Sequence, residues 1–214
     1  MGWSPSIDIY TYALSFSLNS VTPIHTTVLG TVTFLECLEK IQEIDGDIAE
    51  VGAFEGGNAL CSLIYSTSKN ISKKKYWIFD SFEGFPELSE YDPNSMQQGD
   101  YKVETSVQQI CNNFKIFPEG KIIQGFVPQT YEKVPKDSKF AIVFYDCDLY
   151  QPALDTYNYF WERIVSGGYL IIHDYETEPG GFEGVRKATH EFFQEKGVSI
   201  LSFYENTMAI IKKQ

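Results

Sequence analysis

Short apolar runs that alternate with helix-like segments constrain the fold of this chain more than any other feature. Five such runs lie between residues 48 and 172, and segments with helical periodicity separate them. Parallel strands covered on both faces are continuously apolar, and each needs a helical crossover to reach its neighbour. Two further runs, 198–204 and 207–211, are separated by two residues and predict a hairpin. The pattern predicts a Rossmann-like α/β fold with a seven-stranded, mostly parallel sheet, an antiparallel carboxyl-terminal hairpin and helices on both faces.

The same pattern sets the element and domain boundaries. The predicted strands are 48–51, 76–80, 121–124, 140–145 and 169–172, and the predicted helices are 28–41, 59–68, 106–114, 152–164 and 183–195. Residues 1–45 precede the first strand, and we expect them to form a helical cap over the open edge of a site, followed by one domain at 46–214. Residues 82–101 are rich in Pro, Gly, Ser, Asp and Glu, which is typical of a mobile lid or a disordered insert.

Composition restricts the partners and the compartment. The chain has 17 Lys and Arg against 29 Asp and Glu, a formal net charge of −12, whereas nucleic acids and anionic membranes are bound through basic patches. We therefore expect a small-molecule substrate, and neither a nucleic acid nor a membrane as partner. The four cysteines lie far apart without a C-x-x-C pair, which favours reduced thiols and a cytoplasmic location. The aromatic-rich amino terminus can pack over the site or between the subunits of a homodimer.

A glycine-rich turn after the first strand is the first candidate binding site. The segment reads DIAEVGAFEGGN at 47–58, and three glycines let its backbone turn sharply and approach a ligand closely: Gly52, Gly56 and Gly57. The helix that follows offers unpaired N–H groups. A dinucleotide site requires G-x-G-x-x-G, whereas this turn carries Glu50 and Glu55, which would repel a diphosphate. The turn either binds a cationic ligand, such as the sulfonium of S-adenosylmethionine, or is a tight turn without a ligand.

The second strand ends in an acidic residue, Asp80. An acidic side chain at the carboxyl end of this strand is placed to accept hydrogen bonds from the ribose hydroxyls of a nucleotide. The alternative is a solvated aspartate that caps a turn. The position of Asp80 relative to the glycine-rich turn favours the ribose interpretation.

Four ionisable side chains follow the fourth and fifth strands. Asp146 and Asp148 come at the end of one strand, and His173 and Asp174 at the end of the next. Because the carboxyl ends of parallel strands share one rim, we expect all four to lie together there. Like charges in a cleft are unfavourable unless a cation balances them or they perform acid–base work. The alternative is that Asp146 caps a turn and Asp148 begins a helix.

Four segments together resemble the macrocin O-methyltransferase family, whose members are class I S-adenosylmethionine-dependent enzymes that methylate sugar hydroxyls. The segments read EVGAFEGG at 50–57, FDSFEGFP at 79–86, DCDLY at 146–150 and GGYLIIHDY at 167–175, in the family's order. The resemblance implies that S-adenosylmethionine is bound by Glu50, Gly52, Glu55, Gly56, Gly57, Asp80, Ser81, Gly125, Phe126 and Asp146. Within this set, Asp80 and Ser81 would contact the ribose, and Gly125 and Phe126 would border the adenine. Asp146 would also bind a divalent metal, usually magnesium.

One position departs from the family's pattern. The family's fourth segment normally ends in two adjacent aspartates near the metal, whereas here the first is His173 and only Asp174 matches. Magnesium prefers oxygen ligands, for which imidazole is a poor substitute. Either Asp146 and Asp174 still hold Mg²⁺ beside His173 as general base, or no metal binds and His173 alone accepts the proton. A third interpretation is a histidine that only hydrogen-bonds the next turn.

These residues predict an enzyme that transfers a methyl group from S-adenosylmethionine to a hydroxyl of a sugar or a sugar-containing small metabolite, with His173 and Asp146 as its catalytic residues. Two alternatives stay open: an N-methyltransferase acting on an amine of a polar precursor, and an S-adenosylmethionine-binding protein without catalysis. A nicotinamide oxidoreductase is disfavoured by the acidic turn and by the carboxyl-terminal hairpin. His25 and His190 have no predicted partner, and we expect them to be structural or surface residues.

Overall fold

The secondary structure follows the predicted alternation. The computed structural model describes residues 6–20, 22–71, 74–194, 196–203 and 207–214. The helices are α1 (Ile7–Asn19), α2 (Val28–Lys40), α3 (Gly57–Ser68), α4 (Val107–Asn113), α5 (Tyr150–Phe160) and α6 (Glu183–Phe193). The strands are β1 (Asp47–Val51), β2 (Tyr76–Asp80), β3 (Gly120–Gln124), β4 (Phe140–Tyr145), β5 (Ile164–Ile172), β6 (Ile200–Phe203) and β7 (Met208–Lys212).

The strands form one seven-stranded sheet in the order β3-β2-β1-β4-β5-β7-β6. Strands β1 to β5 run parallel to one another, and β7 is antiparallel to both β5 and β6. This arrangement confirms the predicted mostly parallel sheet with an antiparallel hairpin at its end; the turn predicted at 205–206 lies outside the described residues. The chain reverses its direction of winding between β1 and β4, and ligands of open α/β sheets bind at such a switch point.

Apolar side chains cover both faces of the sheet, because alternate residues of a strand point to opposite sides. In β4, Ile142 and Phe144 belong to the core cluster that contains α2 and α3, whereas Val143 and Tyr145 belong to the cluster that contains α5 and α6. Every residue of β4 is buried. The continuous apolar runs of the sequence are therefore explained by burial on both faces.

The amino-terminal helices are part of this core. Helix α2 begins where the Thr27 side chain accepts a hydrogen bond from the Gly30 N–H (2.9 Å), and its residue Phe34 stacks on Phe144 of β4 with ring centroids 5.1 Å apart. Helix α1 packs on α2 and buries Ile9 and Ala13. Helix α2 thus forms a layer on the sheet, and the role of residues 1–45 as a cap over the site edge stays a prediction.

The predicted helix at 152–164 is wrong at its carboxyl end. The helix ends at Phe160, a 3₁₀ turn follows at Trp161–Arg163, and Ile164 already begins β5, where it pairs with Phe140. The β-branched Ile164 fits a strand better than a last helical turn, and the pairing with β4 extends β5 well before the predicted start at 169. The boundary between α5 and β5 therefore depends on pairing with β4, which cannot be predicted from the local sequence.

The insert at 82–101 is anchored to the core. Asp92 is buried, and its carboxylate accepts a hydrogen bond from the Tyr150 N–H (2.7 Å) at the start of α5. Phe82 and Phe85 are buried as well. The movement of this insert as a lid stays a prediction. In the described part of the chain, no helix is sufficiently long and apolar to cross a membrane.

Candidate active site

A pocket of about 310 Å³ opens at the carboxyl ends of β1, β2, β4 and β5. Its walls come from the strand ends, from the segment before α2, from the insert and from the residue that precedes α6. Five buried or half-buried acidic residues line it together with His173: Glu50, Asp80, Asp146, Asp148 and Asp174. Among the described residues, no Lys or Arg side chain lines the pocket.

Backbone hydrogen bonds extend the sheet and bring the rim residues together. The Asp146 N–H donates to the Val51 carbonyl (2.8 Å), and the His173 N–H donates to the Tyr145 carbonyl (2.9 Å). Gly52 is required here, because it has a φ of 91° and a Cβ on it would lie 2.0 Å from the carbonyl oxygen of Asp146. The close approach of the ends of β1 and β4 therefore depends on a residue without a side chain.

Glu50 is held below the turn. Its carboxylate is 1% exposed and accepts a hydrogen bond from the Tyr76 hydroxyl (3.0 Å). Burial raises the pKa of Glu50 to about 8, and the charges of Asp146 and Asp80 act in the same direction. A positive ligand placed beside Glu50 would favour its ionised form, so this residue can respond to a cation.

Asp80 is fixed by the backbone around the pocket. One carboxylate oxygen accepts the Phe54 N–H (2.7 Å) and the other accepts the Phe82 N–H (2.6 Å). Each oxygen keeps a second lone pair, so the carboxylate can also accept a hydroxyl from a ligand. Ser81 lines the pocket but its hydroxyl donates to the Gly84 carbonyl (3.1 Å), which stabilises the turn that follows.

The remaining predicted cofactor residues separate into two groups. Gly57, Gly125 and Phe126 line the pocket, as do Gly52 and Asp146. Glu55 and Gly56 are not among its lining residues, and their part in cofactor binding stays a prediction. The Glu55 carboxylate accepts a hydrogen bond from Thr105 and lies 3.5 Å from Nε2 of His25, and Gly56 turns the chain into α3. Both act on the shape of the turn rather than facing the pocket.

Several pocket residues were not predicted from the sequence, and His25, Thr26 and Asn58 are three polar ones among them. Thr26 and Asn58 are buried at the pocket, and His25, expected to be a structural or surface residue, also lines it. A Cβ on Gly57 would lie 1.9 Å from the Pro23 carbonyl, so this glycine lets the segment before α2 reach the site. Asn58 directly follows the glycine-rich turn and could have been found there; His25 lies in no motif, because a long-range contact places it.

The four rim residues predicted to meet do so. Asp146, Asp148, His173 and Asp174 each place a polar atom within 4.8 Å of the others. Nδ1 of His173 lies 2.6 Å from Oδ1 of Asp146 and 2.9 Å from Oδ2 of Asp174. The imidazole therefore presents Nδ1 to two carboxylates at once, and Nδ1 acts as the donor in this arrangement.

The cluster shifts the protonation of its members. Burial disfavours a charge on His173, but the carboxylates of Asp146 and Asp174 outweigh it and raise the pKa of the imidazole well above its usual range. Burial, together with the charges of Asp174 and Asp146, raises the pKa of the Asp148 carboxyl well above its usual range. Protons on these two groups relieve the repulsion among three closely placed carboxyl groups.

The two carboxylates leave the second ring nitrogen of His173 unused. Nε2 is buried and has no hydrogen-bond partner among the described residues, and the side chain lines the pocket. A buried polar atom without a partner is unfavourable, which is typical of an atom that meets a ligand. Nε2 is therefore the ring atom available to a bound molecule.

The cluster does not fit the magnesium ion that the family resemblance implies. Magnesium binds oxygen ligands in near-octahedral geometry at about 2.0–2.1 Å. An ion shared by Asp146 and Asp174 would lie between their oxygens, where Nδ1 of His173 already makes both hydrogen bonds. The imidazole also offers nitrogen at a position where the ion prefers oxygen.

The sheet order, the acidic pocket at the switch point and the antiparallel β7 define the fold of the class I S-adenosylmethionine-dependent methyltransferases. The O-methyltransferase NovP has the same fold, with a TM-score of 0.75, 20% identity, and 87% of this chain and 80% of NovP covered. The chain belongs to the macrocin-O-methyltransferase (TylF) family, whose family model matches residues 27–203.

Two characterised relatives show how far the sequence similarity extends. The mycinamicin III 3''-O-methyltransferase of Micromonospora griseorubida is 25% identical over 195 residues, which cover 82% of this chain and 74% of the relative. The 8-demethyl-8-(2,3-dimethoxy-alpha-L-rhamnosyl)-tetracenomycin-C 4'-O-methyltransferase of Streptomyces olivaceus is 24% identical over 174 residues, covering 76% of this chain. The match spans 64% of the length of that relative.

Proposed function

We propose that the chain is an enzyme that transfers a methyl group from S-adenosylmethionine to a hydroxyl of a sugar or a sugar-containing small metabolite. The single observation that carries this proposal is the placement of His173, a pocket-lining residue with Nδ1 held by two carboxylates and Nε2 without a hydrogen-bond partner among the described residues. Family membership and the two O-methyltransferase relatives, one named for a rhamnosyl-bearing compound, support it.

The pocket chemistry suits the cofactor. When bound, S-adenosylmethionine supplies an activated methyl group on a positively charged sulfur. Asp146 lines the pocket with a carboxyl group, Glu50 ionises more readily beside a positive ligand, and Gly52 and Gly57 let the backbone come close to the methionine portion. Asp80 has lone pairs for the ribose hydroxyls. Gly125 and Phe126, which follow β3, border the adenine in this proposal.

His173 acts as the general base in this proposal. Nε2 accepts the proton of the acceptor hydroxyl, while the new oxygen–carbon bond forms and the carbon–sulfur bond breaks. Asp146 and Asp174 hold the ring through Nδ1 and stabilise the imidazolium that results. Because the same carboxylates raise the pKa of His173, the fraction of enzyme able to accept a proton grows with pH.

Aromatic residues of the insert exclude water from the reacting atoms. Phe85 lies against Tyr101 and Phe182, with ring centroids 4.9 and 6.4 Å apart, and all three line the pocket. A dry pocket strengthens electrostatic interactions and prevents loss of the methyl group to water. The role of 82–101 as a lid, and of the segment before α2 as a cover, forms part of this proposal.

The experiment that tests the function separates binding from transfer. Calorimetry measures binding of S-adenosylmethionine, and mass spectrometry then follows methylation of a panel of neutral glycosides, sugar nucleotides and polar amines. Methylated glycosides support the proposal, and methylated amines alone would replace it with N-methylation. Binding without transfer to any acceptor would favour the non-catalytic alternative.

The compartment and the oligomeric state follow as smaller proposals. All four cysteines are free thiols, which supports a reducing, cytoplasmic environment. Helix α1 exposes Ile7 and Leu18, with 81% and 75% of their surfaces accessible, and this apolar face supports a homodimer. Sedimentation analysis of wild type and of a double variant with Ile7→Glu and Leu18→Glu tests the dimer, which only the wild type should form.

A further inference from the structure

The acidic cluster at the rim contains its own nitrogen donor in the place that a cation would take. Three carboxyl groups and one imidazole place polar atoms within 4.8 Å of one another, a spacing that suits a bound ion. The ring nitrogen Nδ1 of His173 nevertheless lies between two of the carboxylates, at 2.6 and 2.9 Å. These distances are those of hydrogen bonds to nitrogen, and they engage the oxygens of Asp146 and Asp174.

We propose that this imidazole substitutes for a divalent cation, so that the chain binds no magnesium at its active site and transfers the methyl group without a metal. The inference rests on the proposed function. His173 joins the ends of β4 and β5, as a shared ion would, and directs Nε2 to the acceptor. Deprotonation of the acceptor hydroxyl then depends on a positioned base instead of a Lewis acid.

The backbone supports this arrangement independently of the side-chain contacts. The His173 N–H donates to the Tyr145 carbonyl (2.9 Å), which fixes the residue directly beside Asp146. The His173 and Asp146 side chains are 11% and 17% exposed, so water competes little for their hydrogen bond. An ion entering the cluster would have to displace Nδ1 from both carboxylates and then accept nitrogen in place of oxygen.

The test uses Mn²⁺, an oxygen-binding divalent ion whose binding is read directly by electron paramagnetic resonance, on the full chain without cofactor. Wild type should show no binding tighter than about 1 mM. His173→Asp removes the N–H and adds a carboxylate, so it should bind Mn²⁺ at least about tenfold more tightly. His173→Asn, which keeps a donor and adds no charge, is the matched control and should bind no better than wild type.

Activity gives the second readout. Wild-type methyl transfer should change by less than about twofold after exhaustive EDTA treatment. In metalloenzymes, even the loss of a group that supports a metal ligand typically lowers metal affinity or activity by about tenfold or more. Tight Mn²⁺ binding by wild type, or a loss of its activity in EDTA, would overturn the inference. Absence of methyl transfer under every condition would instead count against the proposed function, and the Mn²⁺ measurement would still decide the metal question. If His173→Asp does not fold, the wild-type titration alone remains decisive.

Discussion

Nδ1 of His173, at the end of β5, lies 2.6 Å from Oδ1 of Asp146, at the end of β4. The hydrogen bond fixes the direction of the ring and, when the imidazole is neutral, its tautomer, because a nitrogen that donates to a carboxylate then leaves the opposite nitrogen as the acceptor. The proposed base role of His173 and the proposed metal independence both depend on this pair. The following predictions test this pair and the pocket around it.

Removal of the base should abolish turnover and spare the cofactor site. For His173→Ala we expect kcat to fall by about 10²–10⁴-fold, which is the usual contribution of a positioned general base. The dissociation constant of S-adenosylmethionine should stay within about twofold. His190→Asn is the control, since His190 hydrogen-bonds Tyr175 and does not line the pocket. Equal activity of His173→Ala and wild type would exclude the base role.

Asp80→Ala should weaken both cofactor binding and the fold. The change leaves the N–H groups of Phe54 and Phe82 without their acceptor, which costs about 1–3 kcal/mol of unfolding free energy for such a buried group. Ser81→Ala, next in the chain, is the control for the turn alone. Calorimetry with S-adenosylhomocysteine checks the ribose assignment, which unchanged affinity in a folded Asp80→Ala variant would contradict.

Glu50 should make stability fall as the pH rises. In the unfolded chain the carboxyl titrates near its ordinary value of 4.5, whereas the folded pKa is about 8. Between these values the folded state binds more protons, so the unfolding free energy falls by up to about 1.4 kcal/mol per pH unit. The contribution is complete below pH 4.5 and lost by about pH 8.

Glu50→Gln removes this titration, and the comparison is made by denaturant unfolding at pH 6 and pH 8. The neighbours Tyr76, Asp146 and Asp80 remain in both proteins, so the difference reports the titration of Glu50 together with its coupling to them. The variant should gain stability relative to wild type as the pH rises. A constant difference between the two proteins would show that the folded pKa of Glu50 is not raised.

Gly52→Ala should disrupt the site through a steric contact. The new Cβ would lie 2.0 Å from the carbonyl oxygen of Asp146, so the ends of β1 and β4 would separate. Gly99→Ala is a matched control, because Gly99 has a similar φ of 88° and nothing within 4 Å of its Cβ position. We expect Gly52→Ala to lose at least about 1–3 kcal/mol more stability than the control, measured by denaturant unfolding. Equal losses of stability in the two variants would mean that the positive φ, and not the contact with Asp146, explains the glycine at position 52.

The pocket should prefer a neutral sugar acceptor to a sugar nucleotide. Glu50, Asp80 and Asp146 line it, and no Lys or Arg of the described chain does so. A diphosphate is usually bound by Arg, Lys or a helix amino terminus, and here it would meet acidic side chains. We expect neutral glycosides to show a higher kcat/KM than the corresponding nucleoside-diphosphate sugars. The reverse order, measured with matched sugars, would contradict this account of the pocket charge.

The sequence predicted those features that depend on local pattern. The apolar run at 140–145 predicted β4, because a strand buried on both faces requires apolar residues. Gly52 predicted the turn after β1, because a positive φ favours glycine. Long-range contacts were not predictable. Pairing of Ile164 with Phe140 starts β5 earlier than predicted. The close approach of Pro23 to Gly57 brings His25 to the pocket. The Glu55 carboxylate accepts a hydrogen bond from Thr105 and is not part of the pocket wall.

The proposed methyl transfer to a sugar hydroxyl, with His173 as base, is tested by isotopic labelling. Mass spectrometry follows a labelled methyl group from S-adenosylmethionine to a neutral glycoside. We expect a labelled methyl ether on one sugar hydroxyl, formed by wild type in the presence of EDTA and not formed by His173→Ala. Label on no acceptor, or equal labelling by wild type and His173→Ala, would contradict it.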